Sequence, residues 1–553
     1  MPGSLLLAKI SLLGLLATFL PLFCGVRRWR VWLFAAMLCF FALLIASALP
    51  VVSSSHGGFA SRVTLLAGGG LVGLALLAAV TWLVWRYPLY AIPAMVVLMP
   101  LRVPVPTGGS PSYLLVPLYT LTLAVAIAEV VVRDRLRLYP WFRRDPTRIA
   151  LATVAAVAGV AAMWVGLSYA PHTTAYAAAL VEMLAFFLPF AVVYYLVYRY
   201  VRAKADLKRL VVVFIGWGGV LALLGLVQYA TRTVFFNRTA ITNDYQLEHI
   251  FRVNALFWDP NMFGRFLVVV IVLALVSALA PLEGRRRAAL LVVAALAAAA
   301  LMVTYSRSSW VALGAAAILF EWLWLGRKKG TIAVLATVVL IAGGLYALER
   351  ARHYRRLEAL ISTTYGWNKL TGGRVYLVDA GWRMFSDYPV GGVGLAGFPL
   401  AYPDYRLRRA GTALSENHTT PVTVLAEQGL VGLAAYVAFL AVYFATAMRS
   451  AAFNEDRRLR LLQAGFMAVV LAIIVHSLFY AAFFEDPYLW TVMAMSMALT
   501  YVIGRRPDEE TEQPAAVAVG GADGAERQPA AVAPSSTPAQ DEEAAEAAAP
   551  SPA

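Results

Sequence analysis

Residues 264–304, GRFLVVVIVLALVSALAPLEGRRRAALLVVAALAAAALMVT, contain two apolar runs separated by three consecutive arginines. The runs cover residues 264–281 and 288–304, and each approaches or falls within the roughly 17–25 residues that cross a bilayer as a helix. The arginines between them match the excess of Lys and Arg in cytoplasmic loops that orients helices during insertion. This stretch therefore predicts a helical hairpin across a membrane, with its turn on the cytoplasmic side.

The same pattern recurs along the whole chain of 553 residues, of which 61% are hydrophobic and 14% charged. Soluble proteins are about half apolar and about a quarter charged. The composition therefore predicts an all-α, polytopic membrane protein with about 13–15 transmembrane helices. The predicted spans are residues 5–24, 31–52, 63–85, 88–101, 112–132, 149–170, 176–198, 210–230, 264–281, 288–304, 309–326, 331–348, 421–448, 461–484 and 488–503. The fourth is short and rich in proline, which indicates a half-span.

The net charge of +15 does not indicate a nucleic-acid partner, because the Lys and Arg residues cluster in short loops between apolar runs. We expect membrane lipids, and no nucleic acid, among the partners. Both cysteines, Cys24 and Cys39, lie in apolar runs, which excludes a disulfide framework or a CxxC metal site. If the arginine-rich loops are cytoplasmic, alternation places other segments outside: residues 231–263, the turns Tyr305–Ser308 and Glu485–Pro487, and a large external loop at residues 349–420.

The C-terminal segment, residues 504–553, differs from the membrane-embedded part, residues 1–503. From Pro507 onward it has ten acidic residues against one basic residue in an Ala/Pro/Ser background. Such a composition cannot bury enough apolar surface to offset its chain entropy. We expect a disordered tail, and the preceding Arg505 and Arg506 place it in the cytoplasm.

Candidate chemical groups fall in the external segments. His418 lies three residues before Pro421, in ENHTTPVTVLAEQGLVG, where Thr420 and the proline are typical of a helix N-cap and first turn. A neutral imidazole at a helix entrance near the membrane surface can accept a proton from an incoming hydroxyl. A histidine at a membrane edge also occurs without any catalytic role, so its neighbours decide between the two interpretations.

Three external arginines favour an anion site. Arg252 and Arg307 lie next to apolar spans, where a cation generally faces a polar cavity or a partner, and guanidinium groups bind phosphate oxygens in pairs. Arg374 opens an amphipathic external helix, expected within residues 371–398 and followed by a glycine-rich loop. The apolar residues of that helix recur at helical spacing: Val375, Val378, Trp382 and Phe385. For a single arginine, snorkelling to lipid headgroups is the simpler interpretation.

Four stretches, in this order, resemble the bacterial O-antigen ligase and O-antigen polymerase superfamily: RVNALFWDPNMFG, TYSRSSWVALG, GGRVYLVDAGWRMFSDYPVGGVGLAGF and NHTTPVTVLAEQGLVG. HSLFYAAFFEDPYLW near the end fits as well. The most specific feature is the spacing from His418 to Glu427, Gly429 and Gly432. The resemblance covers residues from about 90 to 503. The family often has Asn after the histidine, whereas this chain has Thr419.

The resemblance implies transfer of a glycan from an undecaprenyl-diphosphate carrier to an acceptor hydroxyl at the outer face of the bacterial cytoplasmic membrane. His418 would be the general base or the group that orients the acceptor, and Arg252, Arg307 and Arg374 would bind the diphosphate. The resemblance also implies inverting transfer that is independent of metal ions and uses no cofactor. The acceptor is lipid A core for a ligase and another lipid-linked repeat for a polymerase, and the sequence does not decide between them. A secondary transporter is the alternative from another class.

Overall fold

The structure is a computed structural model, and it describes residues 59–105, 112–128, 189–235, 251–351, 374–407, 419–454, 456–480 and 483–503, with five isolated positions before residue 40. The helices are α1 (Phe59–Arg86), α2 (Pro88–Leu98), α3 (Val116–Ile127), α4 (Lys204–Thr231), α5 (Pro260–Ala278), α6 (Gly284–Thr304), α7 (Arg307–Ala351), α8 (Arg374–Asp387), α9 (Phe398–Tyr405), α10 (Thr420–Phe453), α11 (Arg457–Ser477) and α12 (Pro487–Ile503). Residues 189–200 are also mostly helical. Strands β1 (Val103–Val105) and β2 (Ser112–Leu114) pair antiparallel.

The all-α, polytopic fold is confirmed. Six helices among the described residues are long and apolar enough to cross a membrane. They are Lys204–Thr231, Pro260–Ala278, Gly284–Thr304, Arg307–Gly326, Thr420–Ala452 and Arg457–Ser477. The total of 13–15 spans stays a prediction, because spans 5–24, 31–52 and 149–170 lie outside the described ranges. His418, the tail at residues 504–553 and most of the external loop at 349–420 also lie outside them.

Several predicted boundaries are wrong. The span predicted at 112–132 begins as strand β2, and its helix starts at Val116. The span predicted at 461–484 starts earlier, at Arg457, because Asp456 caps it by accepting the Arg458 backbone N–H at 2.9 Å. It also ends earlier, at Ser477. The short α2 has 11 residues, too few for a full crossing.

Helix α5 lies at the centre of the bundle. It contacts α4, α6, α7 and α11, and most of its residues are buried on every side, as expected for a helix that is apolar all round. Glycines on the neighbouring helices allow close approach: a Cβ at Gly225 would lie 2.7 Å from Phe263, and one at Gly465 would lie 2.9 Å from Val276. Small residues at interfaces allow helix backbones to pack tightly inside a membrane.

Helix α8, which the sequence predicts to be external, buries a different face from the predicted apolar one. The buried residues are Leu377, Ala380, Gly381 and Met384, whereas Val378 and Trp382 of the predicted stripe are exposed. Both faces are apolar, so the pattern alone does not choose between them. The small residues Ala380 and Gly381 permit the closer packing, and they lie on the face that is buried.

Candidate functional site

Arg252 is fixed between two helices. Its Nε donates to the carbonyl oxygen of Thr304 at 2.8 Å, at the end of α6, and its Nη2 donates to Oδ1 of Asn261 at 2.9 Å, in the first turn of α5. The adjacent Val253 N–H donates to the Val303 carbonyl at 3.3 Å. These bonds hold the guanidinium group in one orientation.

A buried amide pair secures the segment that carries Arg252. Gln228 on α4 donates from Nε2 to Oδ1 of Asn254 at 2.9 Å, and its Oε1 accepts the backbone N–H groups of Asn254 and Ala255 at 3.1 and 2.9 Å. Asn254 also donates to the Phe257 carbonyl at 2.8 Å. Buried amides satisfied in this way make a non-helical segment rigid next to a membrane bundle.

Arg307 begins α7, directly after the two-residue turn that follows α6, and its side chain is exposed. The serines around it are buried. The Ser306 and Ser309 hydroxyls lie 2.8 Å apart, and the Ser308 hydroxyl lies 3.1 Å from Nε2 of His476 on α11. The turn is thereby joined to α11, which fixes the start of α7.

Arg374, the first residue of α8, lies near Arg252 and Arg307. Burial lowers the pKa of its guanidinium group, and the positive charges of Arg307 and Arg252 lower it further, whereas Tyr480 and Asp259 act in the opposite direction. Arg252 and Arg307 therefore both lie within electrostatic range of Arg374, although the three arginines come from separate parts of the sequence. Like charges converge only where other groups hold them or where an anion binds between them.

A second set of charges lies beside this cluster. Nε of Arg265 on α5 lies 2.6 Å from Oδ2 of Asp486, and both side chains are almost fully buried. Burial lowers the pKa of Arg102, while Tyr480 and Glu485 nearby raise it. Arg102 and the ion pair line a cavity of ≈ 30 Å³, far below the roughly 300–1,000 Å³ of a ligand pocket. We interpret this set as structural.

Glu427 joins helix α10 to the glycine-rich loop after α8. Its Oε2 accepts the Ala396 N–H at 3.1 Å and its Oε1 accepts the Phe398 N–H at 3.0 Å. The Glu427 carbonyl accepts the Gly394 N–H at 2.9 Å, so side chain and backbone both bind the loop. We call this arrangement the Glu427 clamp.

A break in α10 makes the clamp possible. Gly429 has φ 62 and ψ −157, so the helical bonding is interrupted there, and the Leu430 N–H donates to the Pro389 carbonyl in the loop at 2.9 Å. A Cβ at Gly429 would overlap the Val390 backbone, and one at Gly392, where φ is 68, would overlap the Glu427 and Gln428 backbone. Glu427 and Gly429 of the sequence motif thus hold the glycine-rich loop against α10.

The structure brings together the three predicted arginines, Arg252, Arg307 and Arg374. His418 lies outside the described residues, one position before Thr419. Thr419 is the N-cap of α10, one residue earlier than predicted, and Pro421 lies in the first turn as expected. The roles proposed for these four residues remain predictions.

Sequence reasoning did not identify the supporting residues. Their roles depend on contacts between segments that are distant in sequence, which are those of Gln228, the Ser308–His476 pair and the Arg265–Asp486 pair. One signal was present: an arginine inside an apolar span is expensive and generally has a partner, and Arg265 lies within the predicted span 264–281. The partner itself could not be read from the sequence.

Comparison with known protein families gives one match. Residues 290–437 match the O-antigen ligase family model, a range that includes Arg307, Arg374, His418 and the Glu427 clamp. No curated protein matches the chain. The domain supports an O-antigen ligase-like function in surface-polysaccharide assembly, meaning ligase- or polymerase-type glycosyl transfer with a lipid-linked glycan donor and a glycan acceptor. Residues 290–437 are therefore similar to the O-antigen ligase family, and this match supports the resemblance to the O-antigen ligase superfamily that the sequence motifs indicated.

Proposed function

We propose that this chain transfers a glycan from an undecaprenyl-diphosphate carrier to an acceptor hydroxyl at the outer face of the bacterial cytoplasmic membrane. The observation that carries the proposal is the convergence of Arg252, Arg307 and Arg374. Each arginine comes from a different element: the segment before α5, the start of α7 and the start of α8. A structural scaffold has no need for three such guanidinium groups in one place.

The charge of the cluster suits a diphosphate. Among the described residues, Arg252, Arg307, Arg374 and the carboxylate of Asp259 interact there, and positive charge is in excess among these four groups. A diphosphate diester carries one negative charge on each phosphoryl group. Guanidinium groups bind such oxygens bidentately, and cations positioned before the reaction stabilise charge as it develops on a leaving group.

The reaction follows from these parts. The acceptor oxygen attacks the anomeric carbon, the bond from that carbon to the diphosphate oxygen breaks, and undecaprenyl diphosphate leaves with the electron pair. His418 takes the proton of the acceptor hydroxyl. Attack opposite the leaving group inverts the anomeric carbon. The three guanidinium groups supply the positive charge that a metal ion supplies in other transferases, so the proposed mechanism is metal-independent.

His418→Ala tests the base. We expect the purified full-length variant, reconstituted with lipid-linked donor and acceptor, to lose transfer by about 10²-fold or more, with unchanged thermal unfolding. Product is measured by gel, and wild-type protein is the control. Near-wild-type transfer by the variant would refute the base role.

Deletion of the gene separates the alternatives. Loss of a ligase leaves bare acceptor core while lipid-linked polymer accumulates, and we expect this pattern of surface glycans on a gel. Loss of a polymerase leaves a single repeat on the core. Unchanged glycans would refute glycan transfer and favour the transporter.

A further inference from the structure

Two helices end in a left-handed backbone conformation that residues other than glycine normally avoid. Arg232, after α4, has φ 54 and ψ 26, and Tyr305, after α6, has φ 53 and ψ 26. Glycine or asparagine usually occupies such a left-handed position at the end of a helix, because a Cβ is strained there. Strained residues of this kind cluster at functional sites. Both strained residues are exposed here, so their side chains are available to a ligand.

The two residues belong to one cluster. The Arg232 guanidinium carbon lies 4.3 Å from the ring centroid of Tyr229 and 5.2 Å from that of Phe251. The Tyr305 hydroxyl interacts with that of Tyr229. We call Tyr229, Phe251, Tyr305 and Arg232 the aromatic platform. Stacking on two rings holds the Arg232 guanidinium in a defined place.

The aromatic platform borders the arginine cluster. Phe251 immediately precedes Arg252, and Tyr305 immediately follows Thr304, whose carbonyl oxygen accepts from Arg252 at 2.8 Å. Arg307 is two residues beyond Tyr305. A group that is covalently attached to a diphosphate held by these arginines would therefore reach the platform.

We infer that the aromatic platform binds the sugar that is attached to the diphosphate of the donor. This inference rests on the proposed function. The C–H face of a pyranose ring packs against an aromatic face, whose π-electrons attract its partial positive charge. Arg232 donates hydrogen bonds to the sugar hydroxyls, since a guanidinium group has five N–H donors. A lipid headgroup would interact only with the positive charge of Arg232, whereas a sugar would contact the aromatic rings and also accept hydrogen bonds from Arg232.

The test compares two probes on the purified full-length chain in nanodiscs: lipid-linked glycan extracted from the producing cells, and bare undecaprenyl diphosphate. We expect Tyr305→Ala to raise the Kd of the glycan-bearing probe about 3- to 10-fold and to leave the Kd of the bare probe unchanged. Tyr305→Phe keeps the ring and should bind the glycan-bearing probe almost as wild type does.

Trp322→Ala is the matched control. Trp322 is an exposed aromatic residue of α7, and it lies about 22 Å along that helix from Arg307, its first residue, at a rise of roughly 1.5 Å per residue. We expect no change in either Kd. Equal weakening of both probes by Tyr305→Ala, or no effect on either, would overturn the inference. A wild-type chain that binds both probes but transfers nothing would refute the proposed function, and the comparison of Kd values would still decide the platform.

Discussion

At Arg307 the shape of the charged group matters as much as its sign. A guanidinium fork makes two parallel hydrogen bonds to a phosphate, and a lysine ammonium is a single point charge. We predict that Arg307→Lys lowers transfer by about 10- to 100-fold, which is less than the roughly 100- to 1,000-fold lost when one preorganised donor is removed, because the lysine keeps the charge. The initial rate with lipid-linked donor measures this effect.

Arg383→Lys is the control for that substitution. Arg383 lies on α8 and is paired with Asp379 at 2.9 Å, half exposed. Its contribution is that of a surface ion pair, so transfer should be unaffected. A loss in Arg383→Lys as large as that in Arg307→Lys would contradict a specific phosphate contact.

The buried pair of Arg265 and Asp486 predicts a large effect on stability. Asp486→Asn leaves the Arg265 charge buried without its counter-charge, which typically costs about 3–5 kcal/mol. We expect a clearly lower Tm in detergent. Asp379→Asn removes an exposed partner and should cost about 0–1 kcal/mol. Equal Tm values for the two variants would show that Arg265 is stabilised by other groups.

A candidate site residue could be predicted from the sequence where its residue type is unusual for its surroundings. Arg252, Arg307 and Arg374 stand out because they are cations beside apolar runs, and the structure brings them together. Asp486 does not stand out, because its buried pairing with Arg265 depends on how α5 meets the turn before α12.

At the scale of helices, the Glu427 clamp joins α10 to the loop after α8, and we expect this contact to position α8 in the site. Glu427→Gln keeps one carbonyl acceptor but turns an N–H donor toward the N–H groups of Ala396 and Phe398. One buried donor loses its partner, which costs about 1–3 kcal/mol. We expect faster hydrogen exchange in the loop at residues 388–398 and slower transfer, because the loop and α8 carry Arg374.

The same substitution at Glu283 is the control for Glu427→Gln. Glu283 is exposed and pairs with Arg286 at 3.5 Å. Neither exchange nor transfer should change in Glu283→Gln. Unaltered loop exchange in Glu427→Gln would mean that the backbone bonds hold the loop without the carboxylate.

Helix existence was more predictable than helix faces and breaks. Long apolar runs fix α5, α6 and α11, because a chain in lipid satisfies its backbone as a helix. The buried face of α8 was predicted wrongly. Val378 and Trp382 are exposed although they are as apolar as Leu377 and Met384, which are buried. The break at Gly429 was not predicted either, because a glycine alone does not reveal the loop that docks on it.

For the molecule in its membrane, the charge pattern predicts which side each loop faces. In a variant without Cys24 and Cys39, a cysteine at Tyr388, in the glycine-rich loop, should react with a membrane-impermeant maleimide in spheroplasts. A cysteine at Arg286, in the first turn of α6, should react only after permeabilisation. Both positions are exposed. The reverse labelling pattern would refute the proposed outer-face site.

The arrangement of the bundle was the least predictable property. The sequence predicts spans and their alternation, but the central place of α5 depends on which helices offer glycines opposite its large side chains. Gly225 against Phe263 and Gly465 against Val276 are such matches. They join helices that are far apart in sequence, so no local pattern contains them.

The ion pair between Arg265 and Asp486 has a consequence for biogenesis. Arg265 enters the translocon long before the ribosome has made Asp486, and an arginine near the middle of a helix opposes insertion by about 2.5–3.5 kcal/mol. Its position near the start of α5 reduces this penalty but leaves the nascent helix without its counter-ion. Chains truncated before residue 486 should therefore be retained poorly in the bilayer and become substrates of membrane proteases.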